Sequence, residues 1–374
     1  MNRITSYGIV ITLLMILTCC KQQDANSRAP MQPGEQLVEY AKLLSIERMP
    51  SCIKVDITNP WDSTVMLGRY VLVKRGEQAD SVPQGYRLIE VPLEHSIVYS
   101  SVHTGVVSEL GALTSLVGVA DGEYIKDKSV GALIKAGKVT DVGSSTSPSI
   151  EKIAALQPDA ILLSPFENAG HGALDALGIP IIECADYMES TPLGRAEWIK
   201  LFGVLYDKSA EADSIFHTVT QKYNEIYQAA SNFENRPMVL TEKMSGGYWF
   251  VPGGESYMAH LIEDAGGNYP WHGNSSAGSL QLDFSAVYAR AADADVWLIR
   301  VYGGTLTLED LRDEYVLNSQ IKAYKTRKIY VADTSKVPLF DEFPFHPERL
   351  LGEYASIFHG EDLFGSLKYY KRID

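Results

Sequence analysis

The chain is poor in cysteine and in net positive charge, and it lacks long apolar runs. Of its four cysteines, Cys19 and Cys20 fall in the first twenty residues, which leaves Cys52 and Cys184 for the remaining length. Neither stands in a CxxC or Cys/His spacing, so a disulfide-rich scaffold, a zinc finger and a cysteine-bound cluster are excluded as organising principles. Catalytic signatures are missing too: there is no HExxH, no EF-hand loop and no GxGxxG. Gly254-Glu255-Ser256-Tyr257 lacks the final glycine of a nucleophile elbow. Gly131 and Gly137-Lys138-Val139 have the wrong spacing for a phosphate loop, and no hydroxyl residue follows the lysine. The eight histidines are scattered; His103 and His346 stand apart because both fall in predicted loops. The formal net charge of -14 argues against a nucleic-acid partner and against a polybasic grip on anionic lipid. The apolar run Ile9 to Leu17 is too short to span a bilayer comfortably.

That run is better suited to export. Asn2-Arg3 supplies one positive charge, Ile9 to Leu17 the apolar segment, and Leu17-Thr18-Cys19-Cys20 the ending. The pattern predicts a signal peptide over residues 1–20. Its last four residues resemble a bacterial lipobox, which implies that Cys20 is lipidated and becomes the mature N-terminus. Lys21 to Gly34 is polar, and a flexible tether is expected over residues 21–40. An oxidising compartment would permit a Cys52–Cys184 disulfide; two buried cysteines packed as small apolar groups fit the sequence equally.

What remains, within 374 residues of ordinary globular composition, suits about two domains. Strands are predicted at Cys52–Ile57, Gly68–Lys74, His95–Ser100, Leu116–Val119, Ala160–Ser164 and Pro180–Glu183, with helices at Gly105–Leu113 and Ile150–Leu156. Short apolar runs bounded by Pro, Asp and Gly read as strands buried on both faces of a parallel sheet. This first α/β block is assigned to residues 41–190. A helical connector follows over 191–235. Within it Ala212, Ile215, Phe216, Val219, Tyr223, Ile226, Tyr227 and Ala230 form one apolar stripe. Ser209 is the expected N-cap, and a helix from there to Asn232 would be roughly 36 Å long. A second α/β block, 236–374, has strands at Met238–Thr241, Asp295–Arg300 and Lys328–Ala332, and helices at Ser256–Ala265, Phe284–Arg290 and Pro347–Phe358. Helix, acidic turn and buried strand occur once in each block: Ile150 through Pro158-Asp159 to Ser164, and Phe284 through Asp293-Ala294-Asp295 to Ile299. The fold class is therefore α/β, with two similar lobes joined by one long helix.

Several stretches converge on one family. Ser147-Pro148-Ser149-Ile150-Glu151-Lys152-Ile153 followed by Leu156-Gln157-Pro158-Asp159-Ala160-Ile161 resembles a signature of the periplasmic binding proteins for iron–siderophores, haem and cobalamin. Thr191 to Ile199, Tyr248-Trp249-Phe250-Val251-Pro252-Gly253-Gly254, Asp264-Ala265-Gly266-Gly267-Asn268-Tyr269 and Leu282-Asp283-Phe284 resemble further parts of it, in order, from about Ala41 to His359. The likeness is greatest to the lipid-anchored form of Bacteroidetes-type bacteria. It implies two Rossmann-like lobes around a ligand cleft, bridged by a rigid helix. It implies a monomer in the cell envelope, facing the periplasm, that performs no covalent chemistry, needs no cofactor and binds no nucleic acid. The ligand would be a ferric chelate or a corrinoid, and the partners an ABC permease with its ATPase and, through the lipid, a membrane. In this family one Glu on each lobe docks on the permease. Glu151 occupies the first position, whereas Ser285 stands at the second, with Asp283 two residues away.

Ligands of open α/β sheets bind beyond the carboxyl ends of the strands. The loops expected there carry Tyr99, Ser100 and His103, then Phe166 and Tyr187, in the first block. In the second they carry Tyr248 and Trp249, Arg300 and Tyr302, and Phe340 and Phe345. A flat chelate needs broad apolar contact with a few fixed polar groups, which these aromatics and Trp271 offer. Trp249, among glycines, is expected to be exposed, and Trp297 to lie in the core. Arg300, at a strand end, is the expected cation for an anionic complex. Two competing readings are a free zinc or manganese receptor, which needs converging His or carboxylate ligands, and a metallocluster reductase, which needs more cysteines than the mature chain holds.

Overall fold

The structure is a computed structural model describing residues 34–360 and 363–374; the expected signal peptide, Cys20 and the first part of the expected tether lie outside them. The described chain opens with a sheet of its own. Strands β1 (Glu35–Gln36), β2 (Leu44–Arg48), β3 (Ile53–Thr58) and β4 (Met66–Lys74) run antiparallel to their neighbours, and β5 (Arg87–Val91) joins β4 in parallel. Leu44 and Ile46 on β2, and Val55 and Ile57 on β3, are the inward alternates. Residues 35–40, expected to continue the tether, are instead tied down. The buried Glu197 carboxylate accepts the backbone N–H groups of Glu39, Tyr40 and Ala41, and Glu189 accepts those of Lys42 and Leu43. Buried donors need partners, and here two carboxylates supply them.

The second sheet is wholly parallel. Its strands are β6 (Ser96–Val98), β7 (Leu116–Val119), β8 (Thr140–Asp141), β11 (Ala160–Leu163) and β12 (Ile181–Glu183), in the order β12-β11-β6-β7-β8. The short hairpin of β9 (Gly143–Ser144) and β10 (Ser147–Pro148) lies in the chain after β8. Helices α1 (Ser101–Glu109), α2 (Lys128–Lys135) and α3 (Ile150–Leu156) belong to this lobe. Helix α1 begins four residues before the expected Gly105, because Ser100 at φ -85°, ψ 133° already serves as its N-cap. His103 is therefore a helical residue and not a loop one. Cys184, just past β12, is a buried free thiol, and Cys52 is unpaired as well.

The connector holds α4 (Pro192–Glu197), α5 (Ile199–Leu205) and the 23-residue α6 (Ser209–Ser231). Lys208 takes the N-cap place expected of Ser209. The apolar stripe packs inward through Ala212, Phe216, Val219, Tyr223 and Ala230.

The second lobe contains β13 (Val239–Thr241), β14 (Met244–Ser245), β15 (Tyr248–Pro252), α7 (Tyr257–Asp264), β16 (Ser279–Leu282), α8 (Phe284–Ala291), β17 (Val296–Val301), α9 (Leu308–Glu314), α10 (Lys322–Lys325), β18 (Ile329–Asp333), α11 (Leu339–Glu342), α12 (Pro347–His359) and β19 (Lys371–Arg372). Strands β13, β17 and β18 are parallel, and β19 closes that sheet antiparallel. Strands β14, β15 and β16 form a separate antiparallel meander. The lobes touch directly: Ser101 Oγ donates to Asp341 Oδ1 at 3.0 Å, and His346 bonds Glu109 at 2.9 Å.

Candidate functional site

In the first lobe the strand order reverses between β6 and β11, the place where loops diverge and a crevice opens. A cavity of about 750 Å³ lies there. Tyr99, Ser100 and Ser101 enter it from the end of β6, Asp121 and Tyr124 from the end of β7, Phe166 from the end of β11, and Glu183 from the end of β12. Phe166 is 67% exposed, while Tyr99 is only 8% exposed and its hydroxyl, buried in the wall, has no partner. Burial pushes the Tyr99 phenol up to about 12. It also raises the Glu183 carboxyl, an effect that neighbouring His171 opposes.

In the second lobe a cavity of about 910 Å³ is lined by Glu242 and Lys243 after β13, by Phe250 on β15, by Arg300, Val301 and Tyr302 at the end of β17, and by Asp310, Asp313 and Glu314 on α9. Tyr302 is 73% exposed. Arg300 Nε and Nη2 both reach Glu242, and its guanidinium lies 5.4 Å from the centre of the Phe340 ring. Burial opposes the Arg300 charge, and Glu242 more than restores it. Lys243 Nζ donates to both Glu314 oxygens at 2.7 and 2.8 Å. Asp121 and Glu242, one on each cavity, are non-glycine residues at φ 51° and 62°; such backbone is unfavourable for them and recurs at ligand sites. The lobes meet beside the cavities: Ser101, on the rim of the first, bonds Asp341, the neighbour of Phe340.

Five expected residues reach these cavities, namely Tyr99, Ser100, Phe166, Arg300 and Tyr302, and Phe340 lies against the Arg300 guanidinium. Tyr187 stands behind the first: its hydroxyl donates to Pro165 O at 2.6 Å and so holds the Phe166 loop. Tyr248 is exposed but lines neither cavity.

Other expectations fail. Trp249 is 0% exposed, lies 5.7 Å from Trp297 in a stacked pair and donates from Nε1 to Thr241 O at 2.8 Å. The glycines before it form a two-residue hairpin turn, with Gly246 and Gly247 both at positive φ, so Trp249 is a strand residue facing the core. Its neighbours Tyr248 and Phe250 point outward instead. His103 is buried with Nε2 2.8 Å from Asp186 Oδ1. Burial would raise that carboxyl, but His103 and Arg195 outweigh it. Phe345 is buried against His103 and Phe202, at centroid distances of 6.3 and 6.0 Å, inside the body of the protein. His346, also read as a loop residue, is a buried N-cap between Glu109 and Glu348. Trp271 is buried as well.

Sequence reasoning missed Tyr124, Glu183 and Glu242, and passed over Phe250, at the end of the expected cleft loop Lys243–Phe250, in favour of Tyr248 and Trp249. Tyr124 follows β7, a strand end that the strand–loop rule covers equally. Phe250 is the outward alternate to Trp249.

Glu151 is exposed in the first turn of α3, after N-cap Ser149, and Ser285 is exposed in the first turn of α8, after N-cap Asp283. The two positions are equivalent. The Asp283 carboxylate caps its helix, accepting Ala286 N at 2.7 Å.

Residues 97–335 match the family described as periplasmic binding protein. The N-terminal sheet, β1 to β5, falls before that span. A lipoprotein of Methanocaldococcus jannaschii, itself uncharacterised, is 28% identical over an alignment of 378 residues that covers 94% of this chain and 91% of the relative. Among solved structures, a periplasmic binding protein from Veillonella parvula superposes with a TM-score of 0.59 at 16% identity, covering 71% of this chain and 91% of that one. A periplasmic haem-binding protein from Pseudomonas aeruginosa does so with a TM-score of 0.57 at 17% identity, covering 75% of this chain and 98% of that one.

Proposed function

The chain belongs to the periplasmic binding protein family, and from that premise we propose that it is the solute-binding lipoprotein of an ABC importer, capturing an iron chelate of siderophore or haem type and delivering it to the permease. The observation that carries this reading is the set of outward aromatic rings around the two cavities: Tyr124, Phe166, Phe250, Tyr302 and Phe340 are all exposed. Exposed aromatics have no folding reason to gather on one cleft, and a broad, largely apolar ligand covers them. Cavities of about 750 and 910 Å³ suit a chelate of that size and exceed what a bare ion needs. Among the described residues no three His, Cys, Asp or Glu side chains converge to hold a metal, which disfavours the free zinc or manganese receptor. A corrinoid satisfies the same aromatic cleft and is the second reading.

In this proposal Tyr99, Ser100, Phe166, Arg300, Tyr302 and Phe340 contact the ligand. Glu151 and the Ser285 surface dock on the permease, and Cys20 anchors a monomer in the cell envelope, facing the periplasm. The lipoprotein relative supports an envelope location. No covalent step is assigned. The test is titration of the purified protein with a ferric hydroxamate, a ferric catecholate, haem and cobalamin, followed by absorbance and calorimetry. Submillimolar binding of one of them that weakens in Tyr302→Ala and Phe340→Ala is the expected result; no binding to any of the four defeats the proposal.

A further inference from the structure

We infer that the cleft accepts metal chelates of neutral or positive overall charge and turns away polyanionic ones; this rests on the chelate-binding function proposed above. The residues lining the two cavities include six carboxylates, Asp121, Glu183, Glu242, Asp310, Asp313 and Glu314, against two full cations, Lys243 and Arg300. Both cations are already neutralised, Lys243 by Glu314 and Arg300 by Glu242, and Asp313 pairs with Arg312, which leaves Asp121, Glu183 and Asp310 as the carboxylate excess. Arg300 is further engaged on the Phe340 face. The first-lobe cavity has no Lys or Arg in its lining. Lys126, near the seam between the lobes, donates to Thr334 O and lies 4.0 Å from Asp341. A polyanion entering this cleft therefore meets carboxylates and no unpaired cation among the lining residues, so the Coulomb term opposes it.

A second, independent observation points to a ligand polar group of a definite kind. The Tyr99 hydroxyl is buried in the wall of the first cavity and has no partner in the protein. An unmade hydrogen bond at a buried hydroxyl is costly, and a ligand oxygen arriving there relieves it. The ring is neutral at ordinary pH, so it donates to a carbonyl-type acceptor without needing a charged one. Hydroxamate and amide oxygens have that character. The combination of a neutral donor, apolar rings and a carboxylate excess selects a hydroxamate-type ferric chelate or an amide-rimmed corrinoid over a ferric catecholate.

The experiment is calorimetric titration of the intact lipid-free protein at low and high salt with four probes. These are a linear ferric tris-hydroxamate bearing a free ammonium, cobalamin, a ferric tris-catecholate trianion, and haem with its two propionates. The hydroxamate or cobalamin is expected to bind at least about tenfold tighter than the trianion at low salt, a gap that narrows as salt screens the carboxylates. Glu242→Gln, which releases the Arg300 charge, is expected to raise affinity for the trianion and lower it for the cation. Tightest binding of the catecholate or of haem overturns the inference and leaves the importer function standing. Failure of all four to bind overturns both.

Discussion

Replacing Trp249 separates a core role from a ligand role. The indole is fully buried, stacks on Trp297, touches Phe284 and donates to Thr241 O at 2.8 Å. Truncation to alanine removes a large buried aromatic, at a typical cost of about 3–5 kcal/mol. It also strands a backbone carbonyl, which adds about 1 kcal/mol. The expected loss of about 4–6 kcal/mol is a large share of a typical folding stability of about 5–15 kcal/mol. Phe250→Ala, one residue along the same strand, removes an exposed ring on the opposite face. It is expected to change stability by less than about 1 kcal/mol while weakening chelate binding. Urea denaturation followed by circular dichroism measures the first quantity, and calorimetric titration of the folded variants measures the second. A Trp249→Ala protein within about 1 kcal/mol of the parent but defective in binding would refute the reasoning and return the indole to the cleft.

Burial lowers the affinity of His346 for its proton, but Glu109 and Glu348 outweigh this and push it up to about 9. Its contribution is therefore fully present below about pH 6.5 and is lost as pH rises through about 9, a change of at most about 3 kcal/mol. His346→Gln is expected to flatten the fall of stability between those values, and an unchanged profile counts against the cross-lobe contact. Glu197→Gln is expected to cost about 3–5 kcal/mol, because a buried carboxylate that accepts three backbone N–H groups and the Lys200 ammonium becomes neutral; a loss under about 1 kcal/mol in urea refutes this. Cys20→Ala is expected to move the protein from the membrane to the soluble fraction, and the intact mass of the parent to show acyl chains on Cys20; an unmodified N-terminus elsewhere removes the anchor.

Period and punctuation in the sequence determined the alternation of strand and helix and the long α6, because these depend on contacts near in sequence. The apolar stripe from Ala212 to Ala230 has no other use than an amphipathic helix. Strand ends followed from the same pattern, which is why Tyr99, Phe166 and Tyr302 were legible as cleft residues. What only the tertiary structure decided turns on single-residue phase or on distant partners. Trp249 and Phe250 face opposite ways because a strand has a period of two residues, so the two-residue turn at Gly246-Gly247 settles the face of each. Arg300 was legible as a cation at a strand end. Its neutralisation by Glu242, 58 residues away in the chain, was not, because nothing local to either residue records a parallel pairing of β13 with β17. Of the sheet of β1 to β5, only β3 and β4 were legible as strands, and residues 35–40 read as tether. What holds it down is the pair of carboxylates of Glu189 and Glu197, about 150 residues downstream, which tie the segment between β1 and β2 through backbone N–H groups that have no side-chain signature at all.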